Sequence, residues 1–163
     1  MTKRIQVSIR RATGPEEYPR LVEIWRSAVD ATHDFLSETD RDEIESQLVS
    51  DFLPQVDLHV AERGGDLVGF AGVSEKSLEM LFVDARQRSH GVGTALLAFA
   101  VDTLGVNAVD VNEQNAHAVE FYRRRGFTVV GRSELDDQAR PYPILHLALR
   151  GGDVDPHRVG GPN

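Results

Sequence analysis

Ile5, Val7 and Ile9 alternate with Gln6, Ser8 and Arg10, the two-residue period of a half-buried strand. Leu21, Val22, Trp25 and Val29 then fall on one helical face, and Trp25 on that stripe reads as core. Pro19 cannot lie deep inside such a helix, so regular structure is expected to begin beside it. Ile44, Leu48 and Phe52, spaced by four, predict a second helix that stops before Pro54. Strands are predicted over 56–63 and 66–74, joined through Gly64–Gly65, a tight-hairpin signal. A strand over 78–84 leads into a polar, glycine-bearing loop at 86–93. A third helix follows, with Leu96, Leu97, Ala100 and Leu104 inward and its end near Gly105. Residues 108–111 make a short apolar strand, and 115–125 a helix stopped by Gly126, a usual place for a glycine. Strands at 127–135 and 142–150, around a turn at 136–141, close the chain.

The order β-α-α-β-β-β-α-β-α-β-β predicts an α/β fold, a mixed sheet with helices on both faces. The unit from Leu78 to Val111 should be a right-handed parallel crossover. No repeat or linker interrupts residues 4–150, so residues 1–150 are expected to form a single domain. Residues 151–163, rich in Gly, Pro and polar side chains, are expected to be a mobile tail.

Composition removes several classes. No apolar run approaches the ~20 residues a membrane span needs, and the first ten residues lack the apolar block of a signal peptide. With no cysteine, disulfides, thiolate catalysis and thiolate metal sites are excluded, and the expected location is cytoplasmic. His59, His117 and His146 are scattered, with no metal-ligand spacing, so no metal is expected. A net charge of −8 argues against nucleic-acid partners and favours attraction of a cationic amine.

The strongest local signal is Arg88-Ser89-His90-Gly91-Val92-Gly93, which leaves a strand and opens a helix. Glycines let backbone approach a ligand closely, and free N–H groups at a helix start bind anions. Arg86 and Arg88 add the local positive charge that the acidic chain lacks overall. The spacing is not that of a Rossmann dinucleotide fingerprint, and the loop alone is equally a turn that starts a helix.

Arg88-x-x-Gly91-x-Gly93 after Met80-Leu81-Phe82-Val83-Asp84 resembles the acetyl-CoA pyrophosphate loop of the GNAT acetyltransferases. About twenty residues on, Asn115-x-x-Ala118-x-x-x-Tyr122 followed by Gly126-Phe127 resembles that family's second motif. A closer likeness, to one bacterial group within that family, extends from Ile5 to Arg150, through Asp30 to Leu36, Val111 to Asn115, Gly131 to Glu134 and Pro141 to Pro143. The resemblance implies a GNAT-like fold and N-acetyl transfer from acetyl-CoA to a primary amine, on a small molecule or a protein lysine. It implies that the backbone of Arg88, Ser89, His90, Gly91, Val92, Gly93 and Thr94 holds the pyrophosphate. The pantetheine arm would pair with Leu81, Phe82 and Val83, and the N–H of Phe82 or Val83 would polarise the thioester carbonyl. Asn112 and Asn115 would face the cofactor, and Tyr122 would lie near the thiol.

The chemistry has its own requirements. A lysine-type amine with pKa ~10.4 is about a thousandth neutral near pH 7.4, so a base is useful. Glu79, at the start of the strand carrying the thioester, is the candidate, against a solvated strand-end carboxylate as the plain alternative. A phenol at Tyr122 suits the proton donor to the departing thiolate; outside the motif it would read as a core aromatic. His33, Phe35 and Tyr142 are candidate acceptor-side residues, and the acids between Asp34 and Glu45 could form a lip for cationic acceptors. The competing reading is a non-catalytic acyl-CoA-binding module or sensor; retention of Tyr122, which loop binding does not need, favours the enzyme. An aminoacyl-tRNA acceptor is disfavoured because it would need a basic groove. Acceptor identity, acyl length and the choice between monomer and homodimer stay open.

Overall fold

The computed structural model describes residues 6–88 and 90–149, so Ile5, Ser89 and the expected tail at 151–163 lie outside it. After β1 (Ser8–Arg11), a turn at Pro15–Glu17 leads into α1 (Tyr18–Thr32), with Pro19 in the first turn, where a missing N–H costs nothing. Its buried residues are Leu21, Ile24, Trp25 and Val29. Ile24 thus replaces Val22 in the expected stripe, as spacings of three and four require. Burying each such aliphatic side chain contributes about 1.5–3 kcal/mol, which holds α1 on the sheet. In α2 (Glu38–Gln47) the N-cap Ser37 accepts from Asp40 N–H at 3.1 Å. The chain does not stop before Pro54: a π-type turn (Leu48–Phe52) passes into a tighter one (Leu53–Gln55) that carries Pro54 near its start.

β2 (Asp57–Arg63) and β3 (Asp66–Ser74) form the expected hairpin, followed by β4 (Ser77–Val83), α3 (Val92–Asp102), β5 (Ala108–Asn112), α4 (Ala116–Arg123), β6 (Phe127–Ser133) and β7 (Ile144–Leu149). Leu104 lies beyond the end of α3 and is only partly buried. The strand order is β1-β2-β3-β4-β5-β7-β6, and β4–β5 is the parallel pair among antiparallel neighbours. One core, with Leu96, Leu97, Val109 and Phe127, lies under α3 and α4; the other, with Trp25, Phe70 and Phe82, lies under α1 and α2.

Two irregularities meet at one point. The β3–β4 register runs from Gly72↔Met80 to Val73↔Leu78, leaving Glu79 as a bulged residue. Pairing of β4 with β5 stops at the same place, after Ser77↔Ala108 and Leu78↔Val109, while β5 continues along β7 to Asn112↔Ile144. The sheet therefore opens between β4 and β5.

Candidate active site

A cavity of about 440 Å³ occupies this opening. Leu81, Phe82 and Val83 of β4 form one wall, and Asn115, Ala118 and Tyr122 of the α4 segment form the other. Arg88 and the residues Gly91 to Thr94 line one end; Ala28, Thr32 and His33 of the α1 end line the other.

The loop end is held by Asp84, which is 1% exposed. Its carboxylate accepts from Arg86 N–H at 3.0 Å, capping the turn Ala85–Gln87. It also accepts from Arg20 at 2.8 Å, from the Arg86 guanidinium at 3.2 Å and from Ser27 Oγ at 3.3 Å, while Ser27 Oγ accepts from Ala85 N–H at 3.0 Å. Burial by itself would raise the carboxyl pKa, but the hydrogen bonds from Arg86 and Arg20 hold it well below the ordinary range. Arg20 also donates to Leu67 O at 2.9 Å, so α1, β3 and the loop are tied at one point.

Gly91, at φ 79°, caps α3 in the left-handed region, where an L side chain costs about 1–2 kcal/mol. The helix consequently begins at Val92, and Gly93 sits in its first turn rather than in the loop expected to reach it. The first intrahelical bond runs from Ala95 N–H to Gly91 O at 3.0 Å, so the N–H groups of Val92, Gly93 and Thr94 precede it. A Cβ at Gly93 would meet Phe121 at 3.6 Å and Val83 at 3.7 Å, narrowing the gap between β4 and α4. His90 is exposed and does not line the cavity; Ser89 lies outside the described residues.

Asn115 caps α4, accepting from Ala118 N–H at 3.2 Å through Oδ1. Its Nδ2 approaches His33 Nε2 at 3.4 Å. Thr32 Oγ1 donates to Ala28 O at 2.8 Å, so the 2.7 Å contact between Thr32 Oγ1 and His33 Nδ1 is donated by the ring, leaving Nε2 as acceptor. Burial, reinforced by the Arg41 charge, lowers the His33 pKa to about 4. The ring is therefore neutral and fixed. Protonation of the unfolded chain near pH 6.5 makes stability fall as pH drops from about 6.5 to about 4, by up to ~1.4 kcal/mol per pH unit. Melting temperatures of the parent and His33→Gln across that window should converge as pH falls; an unchanged gap would mean the ring does not titrate this way.

Several expected residues lie elsewhere. Asn112 is buried at the end of β5, where its carbonyl accepts from Asn115 N–H at 3.0 Å; it shapes the turn and does not line the cavity. Phe35 and Tyr142 also lie outside the lining, but they extend it outward: Phe35 packs 5.1 Å from His33 and 6.1 Å from Tyr142 between ring centres. Glu79 is half-buried at the bulge and is not a lining residue. The acidic lip is largely neutralised: Asp42 pairs with Arg26, and Asp40 and Glu43 pair with Arg140. Tyr142 donates to Asp40 over the same segment. Gln87, His117 and Phe121 line the cavity without having been expected there. Phe121 and Ala118 belong to the same helix face region as Tyr122, whereas Gln87 carries no local signal.

Residues 26–143 match the family model for the acetyltransferase (GNAT) domain, and the chain belongs to that family. It is 46% identical over 144 residues to the peptidyl-lysine N-acetyltransferase YjaB of Salmonella typhimurium, spanning 88% of this chain and 98% of that one. Identity to the Escherichia coli protein of the same name is 47% over 146 residues, 89% and 98% of the two chains. The solution structure of apo YjaB from Escherichia coli superposes with a TM-score of 0.82, covering 91% of this chain and all of that one. The PaiA N-acetyltransferase of Thermoplasma acidophilum, solved with coenzyme A, shares the fold at 20% identity, with a TM-score of 0.68 over 87% of this chain and 98% of that one. The chain is therefore an N-acetyltransferase that transfers acetyl to an amine, which favours the enzyme over a non-catalytic acyl-CoA module.

Proposed function

We propose that this chain acetylates the ε-amine of lysine in proteins or peptides, in the cytoplasm, by direct attack of the amine on acetyl-CoA within a ternary complex. The observation that carries the cofactor half is the opening between β4 and β5, walled by Leu81 to Val83 and by Tyr122, with the first N–H groups of α3 at its end. The lysine acceptor rests on the peptidyl-lysine N-acetyltransferases it resembles over most of its length.

In this reading the pyrophosphate lies on the backbone from Arg88 to Thr94 and the pantetheine arm runs along the unpaired edge of β4. An N–H of Phe82 or Val83 polarises the thioester carbonyl. The amine nitrogen bonds to the carbonyl carbon, the carbon–sulfur bond breaks, and Tyr122 delivers a proton to the leaving thiolate. The amine proton leaves through water to Glu79, whose place outside the cavity requires an intervening solvent path. His33, Phe35 and Tyr142 border the acceptor side. Neutral His33, fixed by Thr32 and Asn115, orders the join between the two sides.

The test is acetyl transfer to lysine peptides, followed by mass spectrometry, with the parent and Glu79→Gln compared from about pH 7 to about pH 9.5. Glu79→Gln should be slower at neutral pH, with the loss shrinking as more amine is already deprotonated. A loss constant with pH would make Glu79 a positioning residue. Acetylation of small amines but of no lysine peptide would overturn the acceptor assignment.

A further inference from the structure

Positive charge is scarce in a chain of net charge −8, and among the described residues most of it is spent on ion pairs. Arg26, Arg41 and Arg140, for example, are all engaged by carboxylates. Among the described residues Arg63, Lys76, Arg88, Arg123 and Arg125 have no carboxylate within 4.0 Å; of these, Arg88 lines the loop end of the cavity and Arg125 donates to Thr94, which also lines it. Arg88 falls within the assigned pyrophosphate loop. Arg125 is in neither motif position assigned above.

Arg125 follows α4, and its side chain reaches back across the cavity rim. Nη2 donates to Thr94 Oγ1 at 2.8 Å, Nη1 donates to Phe121 O at 2.9 Å, and the guanidinium carbon lies 3.8 Å from the centre of the Phe121 ring. Thr94 and Phe121 both line the cavity. The fork is thus held in place by two hydrogen bonds and a stacked ring although it is exposed to solvent. Two of its five N–H groups are used, which leaves three for a ligand. A pre-positioned guanidinium with spare donors matches a phosphate far better than a mobile one would.

Its position selects which phosphate. Thr94 is the third residue of α3, at the outer margin of the N–H groups that take the pyrophosphate. A cofactor whose pantetheine lies inside along β4 must send its adenosine outward past this margin. The charged group remaining on that half of coenzyme A is the ribose 3′-phosphate. Resting on the coenzyme A site proposed above, we propose that Arg125 binds the 3′-phosphate and makes this protein discriminate coenzyme A from dephospho-coenzyme A. Thr94 Oγ1, while accepting from Arg125, keeps its own hydrogen to donate toward the phosphate. Phe121 holds the guanidinium plane so that its outward edge faces the ligand.

The experiment is calorimetric titration of the full chain with coenzyme A and with dephospho-coenzyme A, which differ only in that phosphate. The parent should bind coenzyme A roughly 10- to 100-fold more tightly, the range for hydrogen bonds to a charged group. Arg125→Gln should lose most of that ratio while its affinity for dephospho-coenzyme A stays within about twofold. Arg125→Lys should keep part of the ratio, since it restores charge without the fork. Arg124→Gln removes the same charge one residue away, from a pair with Glu120, and should leave the ratio intact. Because each ratio is measured within one variant, a partly unfolded sample does not imitate the result. Equal weakening of both ligands in Arg125→Gln would put Arg125 on the pyrophosphate and overturn the proposal. So would an unchanged ratio, or a parent that does not discriminate. A parent that binds neither ligand would instead overturn the cofactor site itself.

Discussion

Tyr122→Phe is expected to fold as the parent does, to bind coenzyme A nearly as well, and to turn over about 100-fold more slowly, the low end for general acid catalysis. The ring accounts for the retained fold. Tyr122 is 2% exposed and packs edge-on against Phe121 and Phe127, with ring centres 5.2 Å and 5.7 Å apart. Phenylalanine preserves those contacts and removes only the oxygen. Yet the same residue contributes to the cavity wall opposite β4, on the helix capped by Asn115, which also lines it. In the proposed reaction, a thiolate leaving from a thioester on the β4 edge would depart toward that wall, where the phenol would supply the proton. The leaving thiol's reference pKa near 8.5 means that the donor speeds departure without being indispensable. The diagnostic pattern is a fall in kcat with the dissociation constant of coenzyme A unchanged, the mark of an interaction made mainly in the transition state. Loss of affinity and melting temperature with unchanged turnover of the bound complex would make Tyr122 a packing residue. A variant indistinguishable from the parent would mean that water protonates the thiolate.

The parts of this site that the sequence discloses are those carried on one short segment. The stripe Asn115, Ala118, Tyr122 follows from helical periodicity, and the loop from its glycines and Arg88. The bulge at Glu79 was hidden because β4 is apolar on both faces. Leu78, Leu81 and Val83 meet the core under α3 and α4, while Met80 and Phe82 meet the other core, so apolar residues on either side of Glu79 leave no alternation in which the change of parity could be read. Pairings across the chain were equally out of reach. His33 meets Asn115 at a separation of 82 residues, and Asp40 and Glu43 of α2 are neutralised by Arg140, far along the chain. An acidic run reads as an attractive lip only until its arginines are located. Gly93 shows the smaller error: a glycine after Gly91 looks like more loop, but Gly91 alone makes the turn and the helix has already begun.

Asp84→Asn is expected to lower stability by about 2–4 kcal/mol at pH 7, the scale for removing one charge from a buried hydrogen-bonded network. For a chain of this size that is a fall in melting temperature of roughly 5–15 °C. The carboxylate is 1% exposed and is the common acceptor for Arg20, Arg86 and Ser27; the amide keeps the shape but offers one acceptor oxygen and leaves Arg20 without its ion pair. The effect has a defined pH window. Because the folded carboxyl pKa is depressed, the stabilisation is fully present above the unfolded value near 3.9 and is lost as pH falls below it. The gap between parent and Asp84→Asn should therefore be flat from about pH 5 to about pH 8 and narrow below about pH 4. The network also sets the loop, since Asp84 caps the turn at Ala85–Gln87 and Ser27 fixes Ala85 from α1. In Asp84→Asn, weakened coenzyme A binding should accompany the lost stability, with turnover of the bound complex nearly preserved. Denaturant unfolding across pH, set beside coenzyme A titrations, separates the two effects. A gap that persists unchanged to pH 3, or coenzyme A binding equal to the parent's, would mean that Asp84 does not anchor the loop through its charge.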